Sequence, residues 1–170
     1  MPKLITQYVK IIDLICTKVG RITMYGVYLM MFILVLSFVT RNIINFPLMW
    51  IIEMAQFTMT AYYFLGGAYS MQMGDHVRMD LFYGNLSERG KAKMDIFTSA
   101  FLLFYLVTLL IGSVSSLIYT IETKQKLFTA WAPYVWPIKV LMLTGILLML
   151  LQTLSMVFKD IAKLKGRKIN

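Results

Sequence analysis

Cysteine and histidine are almost missing from this 170-residue chain, which has one of each, Cys16 and His76. A lone cysteine excludes an intramolecular disulfide and any site built from several thiolates, and it is read as a small apolar residue. A lone histidine excludes bis-histidine haem ligation and a zinc centre of several imidazoles. Charge is scarce as well: 15% of residues are charged and 59% are hydrophobic, outside the usual composition of a soluble domain. The hydrophobic runs carry no Asp, Arg or Lys at their middle, and neither repeated halves nor broken helices are visible, so a self-sufficient secondary transporter is disfavoured. Gly66, Gly67 and Gly74 do not form a phosphate-cradling loop. Ser70, Ser87, Asp75 and Asp80 lie near His76 in sequence, but there is no nucleophile elbow and no surrounding domain to shape a pocket.

What remains is apolar length. Residues 3–19 place Ile5, Val9, Ile12, Ile15, Cys16 and Val19 on one side at helical spacing, with Lys3, Gln7, Lys10, Asp13, Thr17 and Lys18 on the other. That pattern predicts an amphipathic helix, too polar to span, lying flat on anionic headgroups. The region after Leu36, SFVTRNIIN, has no A-x-A cleavage site, so a first span over about 22–40 stays attached. Further spans are predicted at about 48–73, 96–121 and 135–158, with Pro47 opening the second and Ser87 capping the third ahead of its apolar part. The expected fold is an all-α integral membrane protein: one membrane domain over residues 1–170, with four transmembrane helices plus the N-terminal interfacial helix. Spans of about 20 residues cross a core about 30 Å thick. Little chain is left for a catalytic domain, and no enzyme is expected.

Within the second span Glu53, Gln56, Thr60, Tyr63 and Gly67 recur at helical spacing, and lipid would leave such a stripe without partners. It is expected to face protein. Glu53 can be a structural acid near the outer boundary, a proton or ion ligand, or a contact to another subunit. The third span repeats the spacing with Tyr105, Thr108, Gly112, Ser115 and Tyr119, and Gly112 with Ser116 makes a small-xxx-small pair suited to close helix approach. The second and third helices are therefore expected to pack on each other. Trp131, Tyr134 and Trp136 mark a headgroup level before the fourth span, where Lys139 can snorkel.

The formal charge of +9 raises nucleic acid as a partner, but no basic face is interleaved with stacking aromatics. The Lys and Arg residues are topology charges instead. Thirteen fall on the side of the two termini and the central loop, and four (Arg41, Lys124, Lys126 and Lys139) on the other. Both termini are therefore expected in the cytoplasm.

The order of short motifs along nearly the whole chain resembles a known family. Arg41 is followed by Trp50-Ile-Ile-Glu53, then by Gly66-Gly67-Ala68 and by His76-Val-Arg78-Met-Asp80; a late run extends from Trp131 through Trp136-Pro137 to Gly145 and Leu151-Gln152. This resembles the small membrane subunit, the Q subunit, of tripartite ATP-independent periplasmic (TRAP) transporters. The resemblance implies a multi-pass protein of the bacterial inner membrane, in contact with lipid, that binds a large multispan subunit. The large subunit would carry the sodium and substrate sites and move as an elevator, while a periplasmic binding protein delivers an organic acid. No cofactor is expected in this chain. Carried onto these positions, the resemblance makes Arg41, Trp50, Lys124, Lys126 and Trp131 candidates for docking the periplasmic protein and His76, Arg78 and Asp80 a cytoplasmic motif. Glu53, Gln56, Thr60, Gly67, Gly112 and Ser116 are candidates for helix packing or a subunit interface. The alternative is a self-contained homo-oligomeric four-helix channel or exporter.

Overall fold

The computed structural model describes residues 3–46, 48–73 and 88–164. Within them the chain forms four helices: α1 Lys3–Asn42, α2 Trp50–Met73, α3 Glu88–Glu122 and α4 Trp136–Leu164. Three are long and apolar enough to cross a membrane, over Leu4–Asn42, Lys93–Glu122 and Trp136–Leu164, with mean hydropathies of 2.2, 2.3 and 2.2. The helix α2 falls short of them because Glu53, Gln56, Thr58, Thr60 and Gln72 dilute its apolar residues.

Residues 3–19, expected as a separate helix lying on the membrane, are instead the first half of α1, which continues without a break for 40 residues. At 1.5 Å per residue that is about 60 Å, twice the hydrocarbon core. The amphipathic pattern is real, but protein covers the middle of its apolar side while Ile15 at its edge stays exposed. Val9, Ile12 and Cys16 are buried, and Ile12 and Cys16 form a core with Ala68 that Tyr8, Leu148, Met149 and Leu151 close. Gly20, which a helix interior tolerates at modest cost, sits where any Cβ would overlap the Tyr69 ring. The close approach of α1 and α2 there favours carrying the helix straight through.

The helix α4 is the hub: it packs against α1, α2 and α3, while α3 has its one extensive interface with α4 among the described residues. The expected pairing of the second and third helices is thus replaced by α2 on α4. Gly145 explains the choice, since a Cβ there would lie 2.7 Å from the Phe64 carbonyl oxygen. Only glycine lets the two backbones come so near. Matching positions (Phe64 with Gly145, Gly67 with Met149, Met71 with Thr153) advance together, so α2 and α4 run parallel, while Gly20 with Tyr69 and Thr17 with Gln72 make α1 antiparallel to α2. The 43–49 and 123–135 connections consequently share one end of the molecule. The first residues of α1 meet the last of α2 and α4 at the other end.

The third and fourth helices also outrun their expected bounds. The helix α3 starts at Glu88, consistent with a start ahead of the apolar part, and α4 continues to Leu164. His76, Arg78 and Asp80, with Ser87, lie outside the described residues.

Candidate functional site

The polar stripe of α2 divides in the fold. Glu53 is 5% exposed and its Oε2 has no hydrogen-bond partner among the described residues. Gln56 and Tyr63, on the adjacent edge, are exposed. The Thr60 hydroxyl donates to the Gln56 carbonyl at 2.8 Å, satisfying itself within its own helix. Gly67 accommodates Met149 of α4, whose sulfur would lie 3.0 Å from an added Cβ. One residue of the stripe is thus an internal packing position, one is a buried acid whose Oε2 lacks a partner among the described residues, and two face outward.

The small-xxx-small pair on α3 makes no close helix approach at its glycine. A Cβ on Gly112 would meet nothing within 4 Å. Gly112, Ser113 and Ser116 line an open groove between α3 and α4, about 500 Å³ in volume, with Phe64 of α2 at its side. At the groove's upper end the Lys139 ammonium donates to the Ser116 carbonyl at 3.3 Å, to Ser116 Oγ at 2.8 Å and to Thr120 Oγ1. A cation beside the last turns of α3 also complements that helix's dipole.

A polar seam that sequence reasoning did not assemble joins α1 to α4. Asp13 accepts hydrogen bonds from Gln152 Nε2 at 3.1 Å and Ser155 Oγ at 3.3 Å on one carboxylate oxygen, and from Lys159 on the other. Gln152 and Ser155 are fully buried, whereas the Asp13 and Lys159 side chains are 24% and 29% exposed. One turn along, Thr17 Oγ1 accepts from Gln72 Nε2 at 3.0 Å and donates to the Asp13 carbonyl at 2.8 Å, tying in α2. The Tyr8 hydroxyl donates to the Leu151 carbonyl at 3.2 Å. The available signal was the spacing of Gln152, Ser155 and Lys159 at i, i+3 and i+7, which places all three on one helix face.

The proposed docking residues gather at the loop end. Arg41, Trp50, Lys124, Lys126 and Trp131 are all exposed there. Asn45, with a φ of 57°, turns the chain at the end of α1, and the Phe46 N–H donates back to the Thr40 carbonyl at 3.0 Å. The 123–135 loop is held open as a defined shape. Lys126 and Tyr134 form an antiparallel bridge, Val135 N–H donates to the Gln125 carbonyl at 3.1 Å, and Leu127 N–H donates to the Pro133 carbonyl at 3.0 Å. The Lys126 ammonium stands 4.8 Å from the Tyr134 ring centre, a cation–π contact. Lys124 and Ala132 both take a φ of 47°, a left-handed conformation uncommon outside Gly and Asn. Phe128 protrudes fully exposed from the tip, unmarked by any motif. Among the described residues no three His, Cys, Asp or Glu side chains are grouped to hold a metal ion.

Residues 30–163 match the family model DctQ, described as the DctQ component of tripartite ATP-independent periplasmic transporters. The chain belongs to that family. A search of curated proteins finds no match. The family match covers the last third of α1 and essentially all of α2, α3 and α4. Family membership makes this DctQ protein a membrane component of a transport system rather than a member of an enzyme class. It also gives a context to the open sides of the fold: large apolar residues such as Phe32, Val35 and Phe38 on α1 and Phe101, Phe104 and Ile111 on α3 are exposed, and a membrane environment covers such surfaces.

Proposed function

We propose that this DctQ protein is the fixed small subunit of a TRAP transporter, bracing a large multispan elevator subunit while a periplasmic binding protein delivers an organic acid for sodium-coupled uptake. The family match over residues 30–163 carries the reading. On it, all four helices lie in the inner membrane, α2 packing against α1 and α4. The excess of Lys and Arg at the terminal end supports a cytoplasmic placement for both termini. The loop end is then periplasmic, and Arg41, Trp50, Lys124, Lys126 and Trp131 present a basic, aromatic surface to the binding protein. Sodium and the organic acid bind the large subunit, and this chain holds neither.

Uptake by proteoliposomes tests the reading. Vesicles containing the large subunit and this chain, supplied with the binding protein and a sodium gradient, should accumulate substrate; vesicles lacking this chain should not. Solute flux from this chain alone, as a discrete homo-oligomer, would replace the reading with that of a self-contained four-helix channel or exporter.

A further inference from the structure

The groove between α3 and α4 has an apolar floor and a charged mouth. Its lower wall is made by Tyr105, Leu109, Met142, Ile146 and Met149, and Lys139 and Ser116 stand at the top. Lys139 spends its three N–H donors on neutral oxygens, which satisfies its hydrogens but leaves its charge with the partial charge of the α3 terminus and no counter-ion. No carboxylate pairs with it among the described residues. A lysine beside hydrocarbon calls for a counter-charge. Ser116 Oγ accepts from Lys139 and keeps its own hydrogen to donate, so an ammonium and a hydroxyl donor lie side by side.

The level of this pair along the helices is informative. Lys139 is in the first turn of α4, next to Trp136 and close in sequence to Trp131 and Tyr134, aromatics of the kind that settle at the headgroup level. From Lys139 to Met149 the groove descends about 15 Å at 1.5 Å per residue. One leaflet of a core about 30 Å thick has that same depth of about 15 Å. Gly112, with open space where its Cβ would be, keeps the middle of the groove clear.

We infer that the α3–α4 groove is a phospholipid site: the lipid phosphate accepts from the Ser116 hydroxyl within the field of the Lys139 charge, and one acyl chain runs down past Gly112 toward Met149. The charge at the mouth selects an anionic amphiphile, and the leaflet-deep apolar wall selects its chain. The inference requires α3 and α4 to lie in the membrane and does not depend on which partner subunit the chain has. A bound lipid of this kind fills a notch that would otherwise leave α3 supported by α4 alone.

The test uses the chain purified in mild detergent with whatever subunits it retains, delipidated and titrated with phosphatidylglycerol under native mass spectrometry. One tightly held phosphatidylglycerol is expected. Lys139→Gln, which removes the charge facing the phosphate, and Gly112→Leu, whose side chain fills the acyl path, should each weaken it about tenfold, and Lys139→Arg should restore it. Diacylglycerol, with the same chains and no phosphate, should bind the wild type and Lys139→Gln alike. Phosphatidylglycerol binding that is the same in the wild type, Lys139→Gln and Gly112→Leu would overturn the inference. A photo-crosslinker at Thr108, an exposed wall residue of the groove, should capture lipid; capture of a protein subunit instead would show that a partner helix occupies the groove, and would equally overturn it.

Discussion

Replacing Asp13 tests whether the polar seam holds α1 onto α4. In the structure its carboxylate collects donors from Gln152, Ser155 and Lys159, a neutral pair on one oxygen and a cation on the other. Asp13→Asn keeps an acceptor for Gln152 and Ser155 and loses the ion pair. With both charged side chains about a quarter exposed, that loss should fall below the 3–5 kcal/mol of a fully buried pair, at about 1–2 kcal/mol. Asp13→Ala also strands the buried Gln152 and Ser155 donors, each worth about 1 kcal/mol or more, for a total of about 3 kcal/mol. For a chain of this size that corresponds to a fall in Tm of about 6–12 °C. The assay is thermal unfolding of the purified complex in detergent, with Asp13→Ala, Lys159→Ala and the double variant compared. The double variant should be more stable than the sum of the single losses implies, by about 1–2 kcal/mol. Strict additivity, or equal losses for Asn and Ala, would falsify the seam as a coupled network.

Three other outcomes are expected. Gly145→Ala should destabilise the protein by about 2–3 kcal/mol because its Cβ meets Phe64 backbone, whereas Gly67→Ala meets the flexible end of Met149 and should cost under about 1 kcal/mol; denaturation of the two variants side by side decides it. Glu53→Gln should leave the stability of the isolated chain unchanged or slightly raised, since Oε2 makes no hydrogen bond to lose, and should lower complex yield more than Arg41→Gln; a marked loss in the isolated chain would mean Glu53 has an internal partner. Neutralising Arg41, Lys124 and Lys126 together should reduce uptake at low ionic strength while leaving complex yield intact, and unchanged uptake would remove these residues from the docking surface.

The apolar parts of α1, α3 and α4 were legible because apolar runs of spanning length and Trp-rich boundaries are strong local signals. What covers each helix was not. Residues 3–19 show the same periodicity whether lipid or protein lies against Val9, Ile12 and Cys16, so spacing alone could not distinguish a flat helix from the first half of α1. Similarly, Gly112 and Ser116 satisfy a helix-packing pattern that the fold leaves open, while the close approach is made at Gly145, a single glycine with no small partner at its own spacing to announce it. Asp13 and Lys159 are 146 residues apart, and only the tertiary arrangement shows that they neutralise one another. The stripe on α2 reads as a set that should face protein, but the fold divides it. That side is too broad for one neighbour to cover, which is why Glu53 is buried while Gln56 and Tyr63 are not.

The most direct test of the scaffold-subunit account is co-purification. The tagged chain is expressed with the proteins encoded beside it, extracted in mild detergent, and its associated subunits are weighed by native mass spectrometry. The account predicts a much larger multispan protein in a fixed ratio with this chain, stable through gel filtration. A stable homo-oligomer without such a partner would contradict it, and would make the buried Glu53 the first place to look for an ion path.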